Sequence, residues 1–178
     1  MRTQQAIGAV LLSLAAALAC ATAQRATPLL LQPAARALPA DFDQLGGPLW
    51  RGTLTYLDYT SGKPTTIKSN LLVARLPGDA PVWEWRLGYD DEPKANRGET
   101  VTLAEEGRLF DGEVVVERTA LPAGAIRVVT ETDGEDDHRP ARLRHVYTLS
   151  ASAASLQKLV RFAGTGSFLE RNVYRWTR

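Results

Sequence analysis

From Leu49 onward the chain runs through about ten short stretches with the apolar–polar alternation of β-strands, each closed by turn residues, and none reads as a long amphipathic helix. The stretches are Leu49–Tyr59, Thr65–Leu76, Val82–Tyr89, Glu99–Ala104, Arg108–Phe110, Glu113–Thr119, Ala125–Thr132, Ala141–Ser150, Leu156–Ala163 and Phe168–Trp176. Between them stand Thr60–Pro64, Pro77-Gly78-Asp79 and the hairpin signal Asp111-Gly112. Connections this short make each strand pair with its sequence neighbour. An open sheet of so many strands would leave two unpaired edges, which closure removes. The expected fold is therefore all-β, an antiparallel up-and-down meander closed into a barrel of about 8–10 strands.

Ahead of the strands lies an apolar leader. Arg2 precedes Ala6–Ala19, a run too short for a membrane span and of the length of a signal-peptide core. Ala21-Thr22-Ala23 supplies small residues for a cut before Gln24, so residues 1–23 are expected to be removed and the protein to be periplasmic or secreted. The alternative is set by Ala17-Leu18-Ala19-Cys20, which is similar to a lipobox and would make an envelope lipoprotein anchored through Cys20. Only that outcome gives the protein a membrane. With the cut at Gln24 no cysteine remains, so disulfides and thiol chemistry are excluded.

The leader carries one of the 21 basic residues and none of the 20 acidic ones, so the mature chain is formally neutral. A neutral chain lacks the basic face that a nucleic-acid partner demands. Residues 24–40 contain Pro28, Pro33 and Pro39 and read as a flexible linker, leaving 41–178 as a single barrel domain. Asp41–Leu45 has the makings of one helical turn, with Asp41 as its cap and Gly46-Gly47 at its end.

Chain length, export signal, the Gly46-Gly47-Pro48-Leu49-Trp50 start and a basic last strand together resemble the calycin or lipocalin-like barrels. That family's Gly-x-Trp is displaced here by one residue. The resemblance implies that the Trp50 indole packs against a basic side chain of the last strand, with Arg171, Arg175 and Arg178 as candidates. Leu54–Gly62 and Glu170-Arg171-Asn172 with Tyr174 are also similar to segments of uncharacterised secreted bacterial proteins of that type. The resemblance implies a fold and little about activity.

Few residues point to chemistry. His145 shares a strand face with Leu143, Tyr147 and Leu149 and reads as an inward residue, either a ligand contact, a general base or a hydrogen-bonded core histidine. The acids between Glu131 and Asp137 lack the spacing of a calcium loop and read as a solvated hairpin tip, with His138 beside them. Two histidines and no mature cysteine are a poor supply for zinc. Gly164-Thr165-Gly166-Ser167 is neither a nucleophile elbow nor a phosphate cradle, because no helix follows it. A carboxylate pair of Asp58 with Glu84 or Glu131 is conceivable for acid–base work. Neither a metal nor a cofactor is expected.

The aromatic residues favour binding. Tyr56, Trp83, Trp85, His145, Tyr147 and Tyr174 are the expected lining of an interior site, with Arg118 or Arg144 as a partner for an anionic headgroup. The expected function is that of an exported, non-catalytic barrel holding a small, mostly apolar molecule. A filled core would instead make an envelope structural or interaction module. A third reading is a hydrolase or isomerase using an interior carboxylate or His145.

Overall fold

The computed structural model describes Ala35–Arg178, so the leader, Cys20 and residues 24–34 lie outside the described residues. A five-residue helix, α1 (Pro39–Asp43), leads into β1 (Trp50–Asp58), β2 (Lys63–Arg75), β3 (Val82–Gly88), β4 (Arg97–Ala104) and β5 (Leu109–Phe110). Then come β6 (Glu113–Ala120), β7 (Ile126–Asp136), β8 (Arg139–Leu149), β9 (Ala153–Phe162) and β10 (Leu169–Thr177). Every strand pairs antiparallel with its sequence neighbours, and β10 returns to pair with β1. The meander closes into a barrel.

Alternation along each strand decides what enters that barrel. Trp50 and Leu54 of β1, Leu71 and Val73 of β2, and Trp83, Trp85 and Leu87 of β3 point into a common core. Gly52 lies among them for a steric reason. A Cβ there would sit 1.8 Å from the Arg175 carbonyl oxygen, so only glycine lets β1 and β10 meet.

One end of the barrel is stoppered by α1. Phe42 is fully buried, stacked on Phe110 at 3.8 Å between ring centroids and flanked by Trp83 and Tyr147. Polar groups rivet the stopper in place. The Arg118 guanidinium donates to both oxygens of Asp41 at 2.7 Å, and the Trp83 indole donates to Asp43 at 3.0 Å. The Trp50 indole donates to the Leu45 carbonyl at 2.8 Å, and Ala37, itself buried, donates its backbone N–H to the Gly107 carbonyl.

Three local details differ from the sequence reading. Helix α1 begins at Pro39, whose fixed φ suits the first turn, and Asp41 acts from the third position by accepting the Leu38 N–H at 2.8 Å. The acidic stretch before Asp137 continues β7 instead of forming a loop, because Glu131 and Asp133 face Arg144 and Arg142 in register and ion-pair with them. Only Asp137 and His138 make the turn, both with left-handed φ (50° and 56°). Two register shifts interrupt the ladders, one between Val115 and Glu117 and one between Glu170 and Asn172. The second places an extra residue, Arg171, where the strand re-aims it toward the barrel mouth.

Candidate functional site

The end of the barrel away from α1 is hollow. In-register neighbours on five adjacent strands put a polar belt around half of its wall: Tyr56, Asn172, Lys158, His145 and Thr130. One step deeper, Leu54, Tyr174, Leu156, Tyr147 and Val128 form the next row. Elsewhere in the interior Phe42, Trp83, Trp85 and Phe110 pack against one another.

The hollow has two lobes. The first, about 350 Å³, has Leu54, Tyr56 and Ile67 on one side and Asp136, Lys158 and Arg171 on another. The second, about 310 Å³, is walled by Glu99, Asp111 and Glu113 with His145, Tyr147 and Leu156. Arg97, Lys158, Asn172 and Tyr174 line both.

The second lobe is the more acidic. His145 Nδ1 lies 2.8 Å from Glu113 Oε2, and the Thr130 hydroxyl donates to the same oxygen at 2.5 Å. Asp111 is held above the usual carboxylate range by partial desolvation in the cavity wall and by the charges of Glu99 and Glu113. Full burial, followed by those same three carboxylates, pushes the Tyr147 phenol well up, so it stays protonated at any physiological pH. The Tyr174 and Tyr89 hydroxyls share a hydrogen bond of 2.7 Å, and Arg97 donates to the Tyr89 oxygen at 3.1 Å.

Asp136 lines the first lobe. Its carboxylate is held below the usual range: burial works against the charge, but hydrogen bonds from Lys158 and Tyr59 outweigh it. The same contact raises the Tyr59 phenol. Burial first, then the Asp136 hydrogen bond, push it from 10.0 to about 12. A value raised on folding favours the neutral phenol in the native state, so the shift contributes stability that is fully present below pH 10 and is lost as the pH climbs toward 12. In the native protein, Tyr59, followed by its own ring resonance in NMR, is expected to ionise near pH 12, and Asp136→Asn to lower that value only in part, because burial, the larger cause, remains. Ionisation near 10 in both proteins would show that the contact is not formed in solution.

Of the residues singled out from sequence, Tyr56, His145, Tyr147 and Tyr174 line the hollow. Trp83 and Trp85 instead belong to the packed interior, where they flank Phe110; the buried Trp85 Nε1 has no hydrogen-bond partner. Arg118 is committed to Asp41 at the stoppered end, and Arg144 lies over Phe168 while pairing with Glu131. Asp58, Glu84 and Glu131 are not brought together: Asp58 caps its own turn through Thr60 and Ser61, Glu84 pairs with Arg86, and Glu131 with Arg142 and Arg144. Of the three basic candidates for Trp50, Arg178 takes the place, with its guanidinium 4.3 Å from the indole centroid and bonds to the Gly46 and Gln44 carbonyls.

Sequence reasoning passed over Arg97, Glu99, Glu113, Lys158 and Asn172. Strand parity carried the signal for most of them. Arg97 and Glu99 share parity with the inward Val101 and Leu103, and Lys158 with Ala154 and Leu156. Asn172 shares parity with Tyr174. No known protein-family description matches the chain, and none of the curated proteins resembles it significantly.

Proposed function

We propose that the chain is an exported, calycin-like barrel that binds a small, mostly apolar molecule non-catalytically in the hollow opposite α1. The carrying observation is the division of the interior: an aromatic core at one end and, at the other, two adjoining lobes with both apolar and hydrogen-bonding walls. Leu54, Ile67 and Leu156 offer surface to an apolar body, and Tyr56, Asn172 and Tyr174 offer groups that fix its orientation. The Trp50–Arg178 stack beside the closing helix supports the calycin likeness, and the apolar leader before Gln24 supports export.

Native mass spectrometry of the full chain, purified from the cells that make it, tests the reading. A non-covalent adduct that leaves on denaturation is expected, with uptake lost in Asn172→Trp, which puts an indole where Asn172 borders both lobes. A bare mass, with no uptake from a panel of amphiphiles, would sink the proposal and favour a structural envelope role.

One observation favours a second reading. His145 is oriented by Glu113 through Nδ1, which leaves Nε2 without a protein hydrogen bond among the described residues. Such a pair is the usual construction of a general base, and it lines the more acidic lobe. Recovery of the adduct in chemically altered form, with alteration stopped by His145→Gln, would establish a hydrolase or isomerase in place of a carrier.

A further inference from the structure

The hairpin of β7 and β8 brings Asp136 over the barrel mouth, where this charged residue is only 8% exposed. Three groups from other strands converge on its carboxylate. Tyr59, just beyond β1, donates its hydroxyl; Lys158 Nζ donates across 2.8 Å; Arg171 Nε lies 3.4 Å away. Arg171 reaches this point through the irregularity in β10. Its guanidinium also lies 3.4 Å from the Tyr59 ring centroid and donates to the Leu57 carbonyl. Tyr59, Lys158 and Arg171 thus form an organised anion seat whose present occupant is part of the chain itself.

Two further facts bear on that occupant. Two members of the seat, Lys158 and Arg171, line the first lobe together with Asp136, and Leu54, Ile67 and Tyr174 give the same lobe apolar surface. The occupant also sits next to the two-residue turn of the hairpin, Asp137-His138, in which both residues adopt left-handed φ.

We infer that Asp136 is a built-in stand-in for a ligand's own acid group. The ligand is then an amphiphile with a carboxylate head, which takes the Tyr59–Lys158–Arg171 seat while its apolar body lies on Leu54, Ile67 and Tyr174 and the hairpin tip moves out. This inference rests on the binding reading above and names the class of molecule bound. The exchange leaves the charge of the mouth unchanged, so Glu92, Glu99 and Asp111 meet no added anion. A neutral molecule gains no such entry, because displacing Asp136 would leave Lys158 and Arg171 without a counter-ion. Only a ligand that binds the open arrangement better than the latched one can shift the balance.

Calorimetric titration of octanoate and of 1-octanol into the full chain, Asp136→Asn and Lys158→Met decides the matter. Octanoate is expected to bind Asp136→Asn about tenfold more tightly than the parent, and Lys158→Met about tenfold more weakly, with octanol unmoved. Unchanged or weaker octanoate binding by a natively folded Asp136→Asn would overturn the inference and leave Asp136 a structural brace. Parallel shifts for octanoate and octanol would overturn it too, since the headgroup would then play no part. Should Asp136→Asn fail to fold, Lys158→Met decides alone: selective loss of octanoate supports the seat, and equal loss of both probes removes it. Binding of octanol without discrimination sinks only this inference, whereas failure of every amphiphile to bind any of the three proteins sinks the binding reading itself.

Discussion

Phe42→Ala is expected to lower the unfolding free energy by about 3–5 kcal/mol, the cost of emptying a fully buried aromatic site. Phe42 touches three walls of the barrel at once, stacking on Phe110 of β5 and meeting Trp83 of β3 and Tyr147 of β8. These neighbours stand on backbone held by strand ladders, so they can close the space only in part. The loss therefore combines the transfer of a phenyl ring with a cavity that stays open. Urea unfolding followed by tryptophan fluorescence measures the effect directly, with Trp83 as the local reporter. A change below about 1 kcal/mol would mean that the helix does not stopper the barrel in solution.

The second large effect is expected from Arg118→Met. Asp41 is only 3% exposed, and its two oxygens receive both arms of the Arg118 guanidinium at 2.7 Å. Removing the cation strands a buried carboxylate, which costs about 3–5 kcal/mol when a buried pair is broken from one side. Asp41 also accepts the Leu38 N–H, so the start of α1 loosens with it. Adding Asp41→Asn to Arg118→Met removes the stranded charge and is expected to restore part of the stability. Equal losses in the single and double variants would show that the charge of Asp41 is not what the arginine compensates. Both substitutions act at the stoppered end, so ligand uptake at the other end should survive them at temperatures where the protein stays folded.

The barrel was legible because its strands are short, regularly punctuated and two-faced. Val82–Tyr89 announced an inward row of aromatic side chains, and in the structure Trp83, Trp85, Leu87 and Tyr89 are all buried. The two ends of the barrel were not legible. Parity tells which side chains enter a barrel but not at what height, and height separates Trp83 in the solid core from Tyr56 at the mouth. The assignment of Arg118 to ligand contacts missed Asp41, because the pair joins residues 77 apart in sequence through a helix only five residues long. Arg171 escaped for a different reason: an inserted residue inverts parity locally, and no sequence pattern marks where β10 takes it. Asp136 was read as a solvated tip because charge argues for exposure, whereas two hydrogen-bond donors, Tyr59 and Lys158, and the Arg171 cation make its burial favourable.

The seam between β1 and β10 bears on how the molecule is made. Thr177 must find Arg51, and Trp176 must find Gly52, across nearly the whole length of the domain. Contacts of such sequence separation form late, since loop closure costs entropy before any contact repays it. Until that step both terminal strands present unpaired backbone, a template for another unfinished copy. The seam is also where Gly52 is required, since a Cβ there would collide with the Arg175 carbonyl. The yield of native protein is therefore set by a race between intramolecular closure and intermolecular strand exchange, and dilution should favour the former.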